Sequence, residues 1–159
     1  MQNSTKTVRI VEVGPRDGLQ NIPQSIDSAI KLELIRRLRD AGLQTIELTS
    51  FVSPRAIPQL ADAQVVVQNA EIQKLLKNPK LRLPVLVPNL NGLERALHNG
   101  IKEVAVFISA TEGFSRANIN CTVDEGLGRA RQVVSRAASA GLSVRGYTVP
   151  VFSSLSPLC

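Results

Sequence analysis

Val11-Glu12-Val13-Gly14-Pro15-Arg16-Asp17-Gly18-Leu19-Gln20 runs from an apolar segment straight into a Gly-Pro turn that carries an arginine and an aspartate side by side. Val8 to Val13 has the β-branched density of a buried strand. Gly14 and Pro15 end it, so Arg16 and Asp17 are expected at the strand's C-terminal end. In parallel α/β proteins that end is where chemistry is built. A carboxylate there holds a divalent cation or takes a proton, and a guanidinium beside it stabilises an oxyanion. A solvated ion pair on a surface turn satisfies the same spacing, and spacing alone favours that simpler reading.

Outward from this stretch, the hydrophobic period alternates between that of a strand and that of a helix. Strands are expected at Val8–Val13, Thr45–Thr49, Leu83–Val87, Val104–Ile108 and Ser143–Gly146. Between the first two, Ile30, Leu34, Ile35, Leu38 and Ala41 mark one apolar helical face, with Lys31, Glu33, Arg36 and Arg37 opposite. Pro58–Leu76 also reads as helical and is broken by Asn78-Pro79. A further helix is expected to start at Asn91 with Glu94 closing a capping box, and Thr122-Val123-Asp124-Glu125 offers the same device to the helix carrying Leu127, Ala130, Val134 and Ala137. Ala41-Gly42-Leu43, Asn99-Gly100-Ile101 and Ala140-Gly141-Leu142 each close a helix just before a strand. In each, glycine takes the left-handed position and the next apolar residue packs back on the helix.

Alternating β and α units at this spacing imply parallel strands with helical crossovers, in either an open doubly wound sheet or a (β/α)8 barrel of the TIM type. No Gly-x-Gly-x-x-Gly turn follows the first strand, which weighs against a dinucleotide-binding sheet. The count is four βα units and part of a fifth strand, whereas a whole TIM barrel typically needs about 250 residues. The expectation is therefore an α/β chain holding the first half of a barrel. Its unpaired strand edges would favour self-association or a partner half.

The composition of the 159 residues, 43% apolar and 20% charged, fits a globular domain, and no apolar run approaches the roughly 18 residues of a membrane span. The net charge of +6 is spread over helix faces. With one Tyr, four Phe and no Trp there is little on which to stack bases, so a nucleic-acid partner ranks last and an anionic small molecule fits better. Cys121 and Cys159 make no disulfide framework. His98 is alone and gives no zinc site; its expected contact is with the last carbonyls of its helix. Met1–Thr7 is too short for a secretory signal, which leaves a cytoplasmic location as the default.

Several segments in order resemble hydroxymethylglutaryl-CoA lyases. They are Glu12-Val13-Gly14-Pro15-Arg16-Asp17-Gly18-Leu19-Gln20-Asn21, Ile46-Glu47-Leu48-Thr49-Ser50-Phe51-Val52-Ser53-Pro54, Pro84-Val85-Leu86-Val87-Pro88-Asn89-Leu90, Asn118-Ile119-Asn120-Cys121 and Val144-Arg145-Gly146-Tyr147. The likeness runs from Val8 to Tyr147. It implies a TIM barrel that cleaves hydroxymethylglutaryl-CoA to acetyl-CoA and acetoacetate with Mg2+ or Mn2+, in leucine catabolism and ketone-body formation. A mitochondrial location is possible on the same ground. It implies Asp17 as a metal ligand, Arg16 at the thioester carbonyl where the enolate forms, and Gln20 in support. Glu47, a carboxylate among Thr45, Ile46 and Leu48, must find a partner if its strand is buried; Arg16 is the one expected, which makes Glu47 a catalytic-site residue that orients Arg16. Glu12 is expected to make a structural pair. Asn118 and Asn120 are candidates for the substrate or its CoA arm, with loop capping as the simpler reading. Cys121 is expected to be a small packed residue.

The sequence also departs from that family. Ile22-Pro23 replaces the Glu and polar residue that often follow the first motif. Thr148–Cys159 matches nothing expected there, and the family's His-x-His metal pair, further Asn ligand and Gly-rich loop with a catalytic Cys are not met. The expected division is thus an extension at 1–7, a half-barrel at 8–147 and a divergent tail at 148–159, as a premature stop, frameshift or misread intron would produce. Two alternatives remain open. One is an inactive fragment that binds a homologue, and the other is a Claisen-type acyl-CoA synthase of the same barrel superfamily.

Overall fold

The structure is a computed structural model and describes residues 8–149. After the turn Gly14–Gly18 come helix α1 (Ser28–Asp40), a short helical turn Pro58–Leu60, α2 (Ala63–Gln68) and α3 (Ala70–Leu75). Strand β1 (Val85–Leu86), α4 (Leu90–His98), β2 (Glu103–Ser109), α5 (Glu112–Ile119), α6 (Val123–Ser139) and β3 (Ser143–Val149) complete it. The sheet is parallel with order β1-β2-β3, Val85 facing Val104 and Phe107 facing Tyr147.

Two further segments continue the same order. Glu12 pairs with Ile46, Thr45 with Arg82 and Ser50 with Leu86, all parallel. The ladder here is carried by single exchanges such as Glu47 N–H to the Glu12 carbonyl (2.8 Å) and Leu48 N–H to the Pro84 carbonyl (2.9 Å). The strands expected at Val8–Val13 and Thr45–Thr49 are therefore present in place and order but only as bridges. The expected strand Leu83–Val87 shrinks to Val85–Leu86, with Pro84, which has no N–H to give, just before it. The fifth strand is longer than expected and continues through Thr148 and Val149. The tail at 150–159 and the extension at 1–7 lie outside the described residues.

Helix ends follow side-chain chemistry. Thr122 and Glu125 form the expected reciprocal capping box. The other box is not formed: Asn89 caps α4 by accepting the Gly92 N–H (3.0 Å), and Glu94 is drawn instead to Arg136 of α6 (2.8 Å). The region read as one helix from Pro58 to Leu76 is cut at Asn69, whose extended backbone and side-chain Oδ1, accepting the Glu71 N–H, start a new helix. Gly42, Gly100 and Gly141 have φ of 94°, 73° and 74°, and the residue after each returns its N–H five residues back, as at Leu43 to the Leu38 carbonyl. The expected His98 contact with the end of α4 is made by its neighbour, since the Asn99 amide donates to the Arg95 carbonyl (2.7 Å).

The core lies between sheet and helices. Ile46, Leu48, Val85, Val87, Val104 and Val106 pack on Ile35, Val66, Val67, Leu93, Val133 and Ala137. Period-two alternation then sends Glu47, Arg145 and Tyr147 to the opposite face, where a barrel has its interior.

Candidate active site

The turn that follows the first segment is a single wide helical turn. Gly14 and Pro15 open it, and the N–H groups of Arg16 (3.1 Å) and Asp17 (2.7 Å) both donate to the Val13 carbonyl. Glu12 holds it closed: its Oε1 accepts the Gly14 N–H at 2.6 Å, and a Cβ on Gly14 would lie 2.7 Å from that oxygen. The structural pair expected for Glu12 is therefore with a backbone amide rather than a cation.

The turn delivers Arg16 into a buried cluster centred on Glu47, which is 0% exposed. Glu47 Oε1 accepts from Arg16 Nε (2.5 Å), and Oε2 accepts from Arg145 Nη2 (2.9 Å) and the Tyr147 hydroxyl (2.8 Å). A carboxylate without water survives only when its lone pairs are filled by charged or strong donors, as they are here. Arg16 Nη1 also donates to Asp17 Oδ1 (2.6 Å). The guanidinium is thus clamped from both sides, and its carbon lies 5.7 Å from the Tyr147 ring centre. The Tyr147 hydroxyl is pushed up to about 12, first by burial and then by its hydrogen bond to Glu47 and that residue's charge, so it stays a neutral donor.

Expectation and structure meet at Arg16 and Glu47, which are joined as anticipated. Arg145 and Tyr147 are the members missed. The signal available for them was strand alternation, since positions 145 and 147 share a face and carry polar groups amid Val144 and Val149. Gln20 is half-buried, and its side chain makes no hydrogen bond among the described residues. Asn118 lies within α5 rather than on a loop, and Asn120 closes that helix in the left-handed conformation (φ 47°). Both line a cavity of about 370 Å³ with Ser53, Asn89, Arg129 and an apolar floor of Val87, Val106 and Val133. That floor belongs to the helix-facing core, and none of Arg16, Asp17, Gln20 or Glu47 lines the cavity. Cys121 is buried, and the one hydrogen-bond partner of its sulfur among the described residues is the Ser115 hydroxyl (3.9 Å), as expected for a packing residue.

Asp17 is the one sequence-predicted metal ligand, and its side chain is 57% exposed. Among the described residues no three His, Cys, Asp or Glu side chains gather. One carboxylate that also receives Arg16 falls short of the near-complete oxygen shell that Mg2+ demands, so these residues alone do not form a cation cage.

A parallel α/β half-barrel with a clamped arginine and a solvent-facing aspartate at the C-terminal end of its strands has the architecture of the (β/α)8-barrel class. The chain belongs to the HMGL-like family, whose model matches residues 7–156. It is 51% identical over 142 residues to the mitochondrial hydroxymethylglutaryl-CoA lyase of Arabidopsis thaliana, covering 89% of this chain and 29% of that protein. It is 49% identical over 140 residues to the cytoplasmic 3-hydroxy-3-methylglutaryl-CoA lyase of Rattus norvegicus, covering 88% and 39%. The crystal structure of the Pseudomonas aeruginosa hydroxymethylglutaryl-CoA lyase superposes with a TM-score of 0.81 at 46% identity, over 90% of this chain and 46% of that one. An HMG-CoA lyase from Acinetobacter baumannii, in complex with coenzyme A and 3-methylmalate, gives 0.80 at 29% identity, over 93% and 47%. The chain spans less than half the length of each.

Proposed function

We propose that this sequence supplies the N-terminal half of a carbon–carbon lyase that cleaves hydroxymethylglutaryl-CoA to acetyl-CoA and acetoacetate. The observation that carries the reading is Arg16, held by Glu47 on one side and Asp17 on the other, at the mouth of the parallel strands. In this cleavage the tertiary hydroxyl loses its proton to a base, the bond to the neighbouring methylene breaks to release acetoacetate, and the electron pair passes to the thioester as an enolate, whose carbon then takes up a proton to give acetyl-CoA. A fixed guanidinium is most effective where such charge develops in the transition state. Glu47 orients Arg16, while Arg145 and Tyr147 hold Glu47. Asn118 and Asn120 are assigned to the CoA arm; both line the cavity of about 370 Å³.

Mg2+ or Mn2+ belongs to this reading, with Asp17 as one ligand and the others from outside these residues; when bound, it supplies Lewis acidity to the tertiary hydroxyl. The location is that of the relatives, mitochondrial or cytoplasmic. Self-association of the 159-residue chain is part of the same proposal, because β3 pairs on one side only among the described residues. The synthase alternative is disfavoured by the identity to lyases across most of the chain.

The test is a coupled acetoacetate assay with hydroxymethylglutaryl-CoA. It is run on residues 1–159 and on a polypeptide in which they are continued to the relatives' length. Acetoacetate from the longer form, lost in Arg16→Gln, supports the reading. A folded longer form that leaves this thioester intact overturns it.

A further inference from the structure

A second network of buried polar groups joins the two loops that flank the Arg16–Glu47 contact. Lys31, in the first turn of α1, is 4% exposed, and its Nζ donates to the Gln59 carbonyl (2.5 Å) and to Asp62 Oδ1 (2.6 Å). The Ser28 hydroxyl donates to the other Asp62 oxygen (2.7 Å). A buried ammonium is costly unless its donors are matched, so this arrangement holds the segment 59–62 firmly against α1. Gln59 then uses its side chain in the opposite direction, donating from Nε2 to the Ile22 carbonyl (2.9 Å).

From Ile22 a run of backbone bonds leads back to the turn. Ile22 N–H donates to the Leu19 carbonyl (3.3 Å), Leu19 N–H to the Gly14 carbonyl, and Asp17 N–H to the Val13 carbonyl (2.7 Å). The connection at 21–27 contains no helix or strand, and such a stretch moves unless something ties it down. Among the described residues, Gln59 is the side chain from outside that bonds this connection, and it sits on the chain that leaves the Glu47 segment. One amide therefore ties the far end of the arginine's loop to the loop after the carboxylate, beyond the ladder bonds from Glu12 N–H to the Thr45 carbonyl (2.9 Å) and from Glu47 N–H to the Glu12 carbonyl (2.8 Å).

We propose that Gln59 is a positioning residue, braced by the buried Lys31–Asp62 pair, that fixes the Arg16 turn relative to the Glu47 segment and so maintains the Arg16–Glu47 contact. The consequence for cleavage rests on the proposed lyase function. The placement of Arg16 does not, and the experiment reads that placement alone.

The assay is NMR of the full 159-residue chain, following the Nε–H resonance of Arg16, assigned by its loss in Arg16→Lys, together with the backbone amides of 19–26. Gln59→Leu removes the donor while the Gln59 carbonyl keeps Lys31 in place. The expected result is a roughly three- to ten-fold faster water exchange of the Arg16 Nε–H, the scale of one neutral hydrogen bond, with α6 amides unchanged. Lys31→Met should produce the same change by loosening the brace. Gln59→Glu, nearly isosteric but without the donor, is read identically if the leucine variant does not fold. Loop amides that loosen while the Arg16 Nε–H exchanges as in the parent chain would show that Gln59 merely tethers a loop, and the proposal would fall. It falls equally if neither position changes.

Discussion

Tyr147 is the only tyrosine in the chain and there is no tryptophan, so an alkaline absorbance titration reports this one hydroxyl. Burial raises it, the bond to Glu47 raises it further, and the Glu47 charge adds to both, against smaller opposing effects of Arg145 and Arg16. The folded value of about 12 stands against an ordinary 10.0. At pH 11 an unperturbed tyrosine is roughly nine-tenths ionised, whereas Tyr147 in the fold should be about one-tenth ionised. The sign for stability follows. Between pH 10 and about 12 the unfolded chain has released a proton that the folded chain still binds, so stability falls as pH rises through that window. The side chain is only half-buried, so solvent screening reduces the energy below the full shift. The test variant is Glu47→Gln, which removes the charge, leaves only a weaker neutral acceptor for the hydroxyl and takes one carboxylate from both arginines, and the tyrosinate midpoint should drop. Circular dichroism recorded in parallel keeps the reading to folded protein. A midpoint near 10 in the folded parent chain, or one that does not move in Glu47→Gln, would refute the Glu47–Tyr147 bond as the organising contact of the site.

Other outcomes follow from the same coordinates. In a form active as a lyase, Arg16→Gln should lower kcat by on the order of 10²–10³ with much less change in KM, since the charge it meets develops in the transition state. A change confined to KM in steady-state kinetics would make Arg16 a ground-state binding residue. Calorimetric titration of residues 1–159 with Mn2+ should show nothing tighter than roughly millimolar, because Asp17 supplies one carboxylate; a micromolar site abolished by Asp17→Asn would contradict this. Two helical glycines should respond oppositely to alanine in thermal melts. Gly128→Ala, with nothing near its added Cβ, should stabilise by about 0.5–1 kcal/mol. Gly92→Ala places a methyl 3.1 Å from the Pro88 ring and 3.2 Å from the Phe51 carbonyl and should destabilise by roughly 1–3 kcal/mol.

Much of the architecture was legible in one dimension because it depends on neighbours in sequence. The three left-handed glycines, the Thr122–Glu125 box and the β-branched runs act over a few residues, and they set the βα order without reference to the rest of the chain. The turn after Val13 was legible for the same reason, as was the need of Glu47 for a partner, since a carboxylate between Ile46 and Leu48 has no place in an apolar layer without one. Local rules failed where a distant group competed. Glu94 left its expected cap for Arg136. Asn69 is a different case: a local cap, its side-chain oxygen accepting the Glu71 N–H, divided a helix whose period looked continuous. The ladder between the first two segments thinned to single bridges, which no local pattern announces.

The composition of the site belonged to tertiary structure almost entirely. Arg145 and Tyr147 lie 98 and 100 residues from Glu47 in sequence, and only the parallel register of the strands sets them against it. That same pleat turned the apolar alternate positions toward the helices and left the polar ones facing each other. It also separated Asn118 and Asn120 from Arg16, because they line a cavity floored by the helix-facing layer. The physical reason is range. Capping, turn preference and periodicity are decided by residues a few positions apart, whereas matching a buried charge to its donors requires groups that only the assembled sheet brings within hydrogen-bond distance.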